Sequence, residues 1–324
     1  MKKLLMPLLL VMLFTLAACG NQGTADKEEG TSEVAATTES EENKEQTITY
    51  LGEEYTVPAD SDKIVTATAS QEAMEDAAIL GVKPIGAIAT GGAFPEYLGD
   101  SMSEAKEIGD KRQPNSELLL QMDPDVILGT SKFQPEVVES LNKVATMIPI
   151  SHISTDWKEN LLLLAKLSDK TEEAETIIED YEKEAAEGKE HFKKTMSDKE
   201  VVMVRIRGGN FFVYSPDVYF NPVLYNDLGL PVPEEIQASK SQEMISLEKL
   251  AEMNPDYLFV QFEEGENADS PQALEDLKGN SIFKSITAVK NDDIFYNSVP
   301  PLAAGGTALS KTEFLKVVMD KLAH

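Results

Sequence analysis

Hydrophobic and polar residues alternate along this chain in patterns typical of both helices and strands. Two distant segments, 116–128 and 247–259, share one pattern: a short stretch with helical spacing of apolar residues, a Pro-Asp pair and an apolar run. This pattern predicts a short helix, a turn and a buried strand in each segment. Matching units in the two halves of the chain predict two lobes of similar build, each with alternating helices and strands.

Other apolar runs predict further elements of the same α/β class. Helical spacing of apolar residues predicts a helix over 71–80. Short apolar runs bounded by turn residues predict strands over 63–67, 84–88, 147–151, 201–207 and 293–297. We therefore expect a mostly parallel sheet flanked by helices in each lobe, with the N-terminal lobe over 47–168 and the C-terminal lobe over 198–324.

A segment rich in Glu and Lys lies between the two predicted lobes. Its apolar residues recur with helical spacing over 171–195, at Ala174, Ile177, Ile178, Tyr181 and Ala185. A helix of this length spans roughly 37 Å at a rise of about 1.5 Å per residue, which is the width of a small domain. We therefore assign 169–197 to one long helix that joins the lobes, and we expect only modest hinge motion between them.

The N-terminus predicts export. Residues 1–18 combine the basic Lys2 and Lys3 with an apolar run, which is typical of a signal peptide. The small residues Ala17 and Ala18 before Cys19 resemble the lipobox of bacterial lipoproteins, in which the cysteine is acylated. An ordinary secretory peptide is the alternative. The apolar run is shorter than the roughly 20 residues that span a bilayer, and no later run is longer. We expect a lipoprotein that Cys19 anchors at the extracellular face of the cell membrane.

Composition narrows the choice of partners. Residues 19–46 hold the lipidated cysteine and a stretch of Glu, Ser, Thr, Gly and Ala without aromatic residues, which predicts a disordered tether. The formal net charge is -28, so nucleic acid is not expected as a partner. Cys19 is the only cysteine in the chain, which excludes an internal disulfide and a thiolate metal cluster.

The usual enzyme signatures are absent. The chain has no HExxH, GxSxG or GxxxxGK[ST] motif, and its three histidines, His152, His191 and His324, share no metal-ligand spacing. The sequence therefore favours a binding protein with no catalytic residue, no cofactor and no metal ion of its own. An extracytoplasmic hydrolase that uses carboxylates such as Asp156 and Glu159 is the alternative from another class.

Positive charge is concentrated at a few positions of this acidic chain. Arg205 and Arg207 alternate with Val204 and Ile206 in a predicted strand, so both guanidinium groups project from the same face. Two neighbouring cations repel each other and lose hydration, so they need either acidic partners or an anionic ligand. Structural ion pairs and an anion-binding site both satisfy this requirement, and the sequence leaves the choice open.

Three lysines lie next to the two predicted repeats. Lys132 follows the strand of the first repeat, at the carboxyl end where open α/β sheets bind ligands. Lys111 lies in a turn before the first repeat, and Lys240 lies in a polar loop before the second. Each lysine taken alone predicts a solvated surface charge. Together with the two arginines they predict a cationic cleft between the lobes.

Several stretches give the chain a specific resemblance. The segments VRIRGGN, VYFNPVLYNDLGL, SLEKLAEMNPDYLFVQF and YNSVPPLAAGGTALSK resemble those of the ferric-siderophore-binding lipoproteins of Gram-positive ABC importers, above all the catecholate binders of the bacillibactin type. The resemblance extends over 3–324. It implies a bilobed fold joined by one long helix, a ferric siderophore gripped between the lobes, and delivery to two permease subunits with their ATPase.

The resemblance also implies roles for individual residues. Ligand-contacting positions of the catecholate binders correspond to six residues here: Lys111, Lys132, Arg205, Arg207, Lys240 and Gln242. Glu117 and Glu248 match the pair that docks onto permease arginines, although an acidic residue in a first helical turn also suits the helix dipole. Gly208 stands where a glutamine is expected, which places one hydrogen bond to the ligand in doubt.

The basic residues discriminate among ligands of this fold. A ferric tris-catecholate is a trianion, and its oxygens accept charge-assisted hydrogen bonds from lysine and arginine. A neutral ferric hydroxamate would leave buried cations unpaired. Citrate-hydroxamate and hydroxamate siderophores, haem and cobalamin remain alternative ligands. In each siderophore complex the siderophore itself coordinates the iron, and a monomer suits a tethered shuttle.

Overall fold

The computed structural model describes residues 45–59, 70–89 and 92–322. The predicted signal peptide, Cys19, residues 20–44 of the predicted tether and the predicted strand at 63–67 lie outside these ranges. Among the residues described, no helix is both long enough and apolar enough to cross a membrane.

The described residues form helices and strands that alternate along the chain. The strands are β1 Glu45–Tyr50, β2 Glu53–Pro58, β3 Gly86–Ala87, β4 Lys106–Glu107, β5 Val126–Thr130, β6 Thr146–Ile150, β7 Val201–Arg207, β8 Asn210–Tyr214, β9 Gln242–Ile245, β10 Tyr257–Phe262 and β11 Ile294–Tyr296. The α-helices are α1 Gln71–Leu80, α2 Ser116–Met122, α3 Pro135–Asn142, α4 Trp157–Leu167, α5 Thr171–Thr195, α6 Glu234–Ala238, α7 Leu247–Met253, α8 Ala273–Gly279, α9 Thr287–Lys290 and α10 Ala308–Lys321. Short 3₁₀ turns lie at Glu96–Met102, Ser154–Asp156, Gly265–Asn267 and Phe283–Ser285, and a π-helical turn lies at Val223–Asp227.

The strands of the N-terminal half pair locally. β3 pairs with β4 and β5 pairs with β6, both in parallel, whereas β1 and β2 form an antiparallel hairpin. β1 begins inside the predicted tether, so that prediction was wrong for Glu45 and Gln46. Glu45 pairs with Pro58, and the Gln46 side chain donates to the carbonyl of Pro58 at 3.2 Å. Pairing with β2 thus orders two polar residues whose composition alone predicted disorder.

The C-terminal half contains a five-stranded sheet in the order β11-β10-β7-β8-β9. β10 pairs in parallel with both β7 and β11, whereas β8 runs antiparallel to β7 and to β9. The sheet is therefore mixed, where a mostly parallel one was predicted. Gly208 and Gly209 explain the difference, because both have positive φ, 53° and 74°, and so close a tight hairpin between β7 and β8.

The predicted repeat is confirmed. α2 leads to β5 in one half, and α7 leads to β10 in the other. Side chains cap both helix N-termini: Asn115 accepts from the second and third residues of α2, and Ser246 accepts from Lys249 of α7. Both helices end on left-handed residues, Asp123 with φ 50° and Asn254 with φ 47°, residue types that tolerate this conformation.

The long charged helix is confirmed as α5, Thr171–Thr195, which is two residues shorter at each end than the assigned 169–197. It packs against α4, against α10 and against the turn Val223–Asp227. Gly188 in its middle permits this close approach, since a Cβ there would lie 2.6 Å from Leu228 Cδ2 and 2.7 Å from Met319 Sδ. Close packing thus accounts for a glycine that costs about 1 kcal/mol of helix propensity.

A buried carboxyl group joins α1 to the start of α10. Glu75 of α1 accepts hydrogen bonds from the Tyr97 hydroxyl and the Ala304 amide, each at 2.7 Å, and from the hydroxyls of Thr307 and Ser310. Burial raises the pKa of Glu75, and these hydrogen bonds oppose the rise. The contact connects residues of the predicted N-terminal lobe with the last segment of the predicted C-terminal lobe.

Candidate functional site

β7 presents its two arginines on one face of the five-stranded sheet. Val204 and Ile206 are buried on the opposite face, as strand alternation predicts. The side chain of Arg205 is 13% exposed and that of Arg207 is 37% exposed. One guanidinium group is therefore largely withdrawn from water, and the other remains accessible to a ligand.

A single carboxylate bridges the two guanidinium groups. Glu266 Oε2 lies 2.7 Å from Arg205 Nη2 and accepts from Arg205 Nε at 2.9 Å, whereas Oε1 lies 3.4 Å from Arg207 Nη2. Glu266 is itself only 16% exposed. The three charges therefore form one partly buried group with a net charge of one positive unit.

Backbone contacts hold Glu266 against the β7–β8 turn. The Gly208 amide donates to the Glu266 carbonyl at 3.0 Å, and the Gly209 amide donates to the side chain of Asn267 at 3.1 Å. Asn267 also donates to the carbonyl of Ile206 at 2.9 Å. These bonds fix the turn Gly265–Asn267 beside the strand end, so the carboxylate position is set by the fold.

This geometry bears on the two alternatives for the arginine pair. The chain does supply an acidic partner, but one carboxylate compensates only one of two guanidinium charges. The remaining partner of Arg207 is Gln242, whose Oε1 accepts from Nη1 at 3.5 Å. The ion pair with Glu266 therefore compensates one of the two guanidinium charges and leaves a net charge of one positive unit at the strand end.

Two tyrosines line the arginine pair. The ring centroid of Tyr219 lies 5.3 Å from Arg205 Cζ, within cation–π range, and 4.7 Å from the ring of Tyr214. Burial raises the pKa of the Tyr219 hydroxyl, so it stays protonated. Tyr219 also has φ 61°, an unfavourable backbone conformation for a bulky side chain. Such strain marks positions held in place by their surroundings, as at binding sites.

The structure brings only part of the predicted residue set into contact. Arg205, Arg207 and Gln242 lie together, whereas Lys111, Lys132 and Lys240 are exposed. Within the part of the chain that is described, none of these three lysines forms an ion pair with a carboxylate. Their convergence with the arginines on one ligand stays a prediction.

His152 is held by a neighbouring strand end. Its Nδ1 lies 2.9 Å from the Ser131 hydroxyl, and its pKa is lowered by burial and by the charge of Lys132. A group of three or more His, Cys, Asp or Glu side chains able to hold a metal ion is not found among the residues described. The hydrogen bond to Ser131 is the contact of a structural histidine.

The carboxylates of the hydrolase alternative occupy ordinary positions. Asp156 accepts from the Ser151 hydroxyl at 2.6 Å, next to the start of α4. Glu159 is exposed in the first turn of that helix. Ser151 Oγ in turn accepts from the Ile153 amide at 3.1 Å, so the Asp156–Ser151 contact shapes a loop.

Glu117 and Glu248 occupy equivalent positions in the two repeats. Each lies in the first turn of its helix, α2 or α7, and each side chain is exposed. Position and exposure suit the helix dipole and also leave both carboxylates free to meet another protein.

Comparison with known proteins assigns the chain to a family. The family profile described as periplasmic binding protein matches residues 66–298, well over half of the sequence. The chain belongs to the periplasmic binding protein family. Members are substrate-binding proteins, and the bilobed fold with one long linking helix predicted from the sequence is confirmed by this membership and by structural similarity.

Individual relatives of this binding protein are informative. It is 48% identical to the iron-uptake system-binding protein of Bacillus subtilis, and the alignment covers 100% of both chains. It is also similar to the triscatecholate siderophore-binding protein FeuA of B. subtilis complexed with ferri-bacillibactin, with 49% identity, a TM-score of 0.80, and coverage of 86% of this chain and 98% of that one. The iron(3+)-hydroxamate-binding protein FhuD of B. subtilis is 26% identical, over 88% of this chain and 87% of the relative. The resemblance to siderophore-binding proteins is thereby confirmed.

One central residue of the site, Glu266, carries no signal in the sequence. Glu266 follows two other glutamates in the run Glu263-Glu264-Gly265-Glu266, and nothing in composition or spacing singles it out. Only the fold of the turn places this carboxylate, rather than its neighbours, between the arginines. Tyr219 lies within VYFNPVLYNDLGL, a stretch that carries the family resemblance. That resemblance pointed to the segment but not to Tyr219 itself.

Proposed function

We propose that this protein binds a ferric catecholate siderophore between its lobes and delivers it to an ABC permease for iron uptake. The observation that carries the proposal is the arginine pair on β7, in which two guanidinium groups share the single carboxylate of Glu266. The similarity to a relative crystallised with ferri-bacillibactin supports the choice of a catecholate.

The chemistry of the ligand fits the net positive charge of this group. Iron(III) with three catecholate dianions is a trianion that presents oxygens around flat rings. Charge-assisted hydrogen bonds from Arg205 and Arg207 would contribute about 1.5–3 kcal/mol each. We place Lys111, Lys132 and Lys240 on the same ligand, with Gln242 as a polar neighbour.

We infer that the siderophore alone coordinates the iron. Catecholate oxygens fill the coordination sphere of the metal, so the protein needs donors of hydrogen bonds and no metal ligands. The arginine, lysine and glutamine side chains proposed here are donors of this kind. The protein therefore carries no cofactor of its own, and the ferric siderophore is its cargo.

Other ligands bound by proteins of this fold differ in charge from a ferric tris-catecholate. A neutral ferric trihydroxamate accepts hydrogen bonds but leaves the excess cation without an opposite charge, which costs free energy in a partly buried site. Anionic citrate-hydroxamate complexes carry negative charge as the catecholate complex does, but they lack catechol rings. Haem and cobalamin would need a broad apolar cleft instead of a cationic one.

Equilibrium dialysis of the purified mature protein tests the proposal. Ferric bacillibactin and a neutral ferric trihydroxamate are dialysed against the protein in parallel, and bound iron is measured. We expect the catecholate to bind at least about a hundredfold more tightly, because charge-assisted bonds to two arginines favour the anion. Equal binding of both, or tighter binding of the hydroxamate, would reject the catecholate assignment.

We propose that Glu117 and Glu248 dock onto basic residues of two permease subunits. One lies on the first helix of each repeat, so the pair offers one exposed carboxylate per half of the chain. Opposite charges of this kind set the orientation of a transient complex more than its affinity.

The double variant Glu117→Ala/Glu248→Ala is expected to retain ligand affinity and to lose uptake of radioactive iron from the ferric siderophore by about tenfold or more. Uptake is measured in cells that carry the variant as their only copy. Glu136→Ala/Glu252→Ala, which removes two other exposed carboxylates from helices α3 and α7, is the matched control. Unchanged uptake in the first variant would rule out the docking role.

We further propose that lipid on Cys19 anchors the protein at the outer face of the membrane and that it acts as a monomer. A relative of 27% identity is named a probable siderophore-binding lipoprotein of B. subtilis. The lipobox-like residues Ala17 and Ala18 support the same anchor here. Labelling cells with radioactive palmitate, with Cys19→Ala as control, tests the modification.

A further inference from the structure

The β7–β8–β9 side of the sheet continues the arginine face with apolar side chains. Arg205 pairs with Phe212 across the antiparallel ladder, and Phe212 pairs with Met244 on the next strand. Directly opposed residues of antiparallel strands project from the same face. Arg205, Phe212 and Met244 therefore form one row, ordered from the middle of the sheet to its edge.

This row lies on the accessible face of the sheet. Met244 is 60% exposed, and Phe212 is half-buried. On the opposite face, Ile206 and Val213 are buried in the core. Four large hydrophobic residues are exposed in the described ranges, and Met244 is the one that shares a face with the arginine pair.

Polar groups surround the apolar pair. The neighbouring row on the same face places Tyr214 opposite Gln242, and Gln242 accepts the hydrogen bond from Arg207. A ligand held by Arg207 and Gln242 would therefore extend over Phe212 and Met244. A flat aromatic ring fits such a surface, since methionine sulfur and aromatic edges both make favourable contacts with rings.

We propose that Phe212 and Met244 form an apolar platform that contacts a catechol ring of the ligand and selects for aromatic siderophores. This inference rests on the proposed function and adds to it. The cations select for negative charge, which anionic citrate-based complexes share, whereas the platform selects for rings, which those complexes lack. Charge and ring contact together therefore select a ferric catecholate over an anionic citrate-based complex, which charge alone does not exclude.

Two probes of equal charge separate ring contact from charge. Chromium(III) tris-catecholate and chromium(III) tris-oxalate are both kinetically inert trianions, and only the first has aromatic rings. The variant Phe212→Leu/Met244→Gln removes the aromatic ring and the thioether from an accessible face and changes no charge. Leu120→Gln, at a position 63% exposed on α2, is the matched control for loss of an exposed apolar side chain.

Affinity of each probe is measured by equilibrium dialysis with the mature protein, after thermal unfolding has shown that each variant is folded. We expect the double variant to bind the tris-catecholate about tenfold more weakly and the tris-oxalate within about twofold of wild type. Leu120→Gln is expected to change neither affinity.

Three results would overturn the platform. They are an equal loss for both probes, unchanged affinity for the tris-catecholate, or the same loss in Leu120→Gln. Failure of the proposed function has a different signature, because wild-type protein would then bind the tris-catecholate no better than a neutral ferric trihydroxamate.

Discussion

Replacement of Arg205 and Arg207 together by alanine is expected to weaken binding of ferric bacillibactin by about a thousandfold. The variant loses two donors of charge-assisted hydrogen bonds. It also leaves Glu266, which is 16% exposed, as an uncompensated anion beside the trianionic ligand. Both effects act in the same direction, which makes this the largest change in affinity that we expect from the site.

The two contributions can be separated. Adding Glu266→Gln to the arginine variant removes the repulsion while keeping a side chain of the same shape, so we expect about tenfold of the affinity to return. Lys284→Ala/Lys290→Ala removes the same total charge from two exposed positions and should leave affinity nearly unchanged. Isothermal titration of the four proteins measures each affinity. If the arginine variant loses less than about tenfold in affinity, Arg205 and Arg207 have a purely structural role.

Asp227→Ala is expected to lower the free energy of unfolding by about 3 kcal/mol, because it leaves the buried ammonium group of Lys311 without an opposite charge. Lys311 of α10 is only 2% exposed, and its Nζ lies 2.7 Å from Asp227 Oδ2. The Tyr181 hydroxyl of α5 donates to the same oxygen at 2.5 Å, and the ring centroids of Tyr181 and Trp157 lie 5.2 and 5.7 Å from the ammonium group. Burial lowers the pKa of Lys311, and Asp227 opposes this change.

Removal of the other partner, Lys311, is expected to lower the free energy of unfolding by less. Asp227 is 26% exposed and keeps its bond from Tyr181, so Lys311→Met should lower stability by only about 1 kcal/mol. The double variant Asp227→Ala/Lys311→Met should recover most of the loss, because no unpaired charge remains. Urea unfolding followed by the fluorescence of Trp157, the only tryptophan, gives these values. A double variant as unstable as Asp227→Ala would show that packing, not charge, dominates this contact.

Local sequence patterns predicted the elements that depend on local chemistry. The bounds of α1, α5 and β7 follow from apolar periodicity, and the repeat follows from the helical spacing, the Pro-Asp pair and the apolar run found in each half. The same-face placement of Arg205 and Arg207 follows from strand geometry alone. Positions in turns and at a strand end singled out the three lysines, and family resemblance added Gln242. Of these four residues, only Gln242 lies in contact with the arginines.

Features that depend on tertiary contact were not predictable in this way. Glu266 lies about 60 residues beyond the arginines it bridges, in an acidic run with no distinguishing signal. The platform residues Phe212 and Met244 meet only because a glycine hairpin turns β8 back along β7 and β9 pairs beside it. Likewise, Glu75 and Lys311 are charged residues at helical positions, and only the packing of α1, α5 and α10 buries them.

A crystal structure of the protein with ferric bacillibactin tests the central claim most directly. We predict that the iron lies over the arginine face of β7, that Arg205 and Arg207 donate to catecholate oxygens, and that every atom bound to iron belongs to the siderophore. Coordination of the iron by a protein side chain would contradict the account. So would binding elsewhere, for example in the cavity of about 460 Å³ that Trp157, Tyr181 and Lys311 help to line.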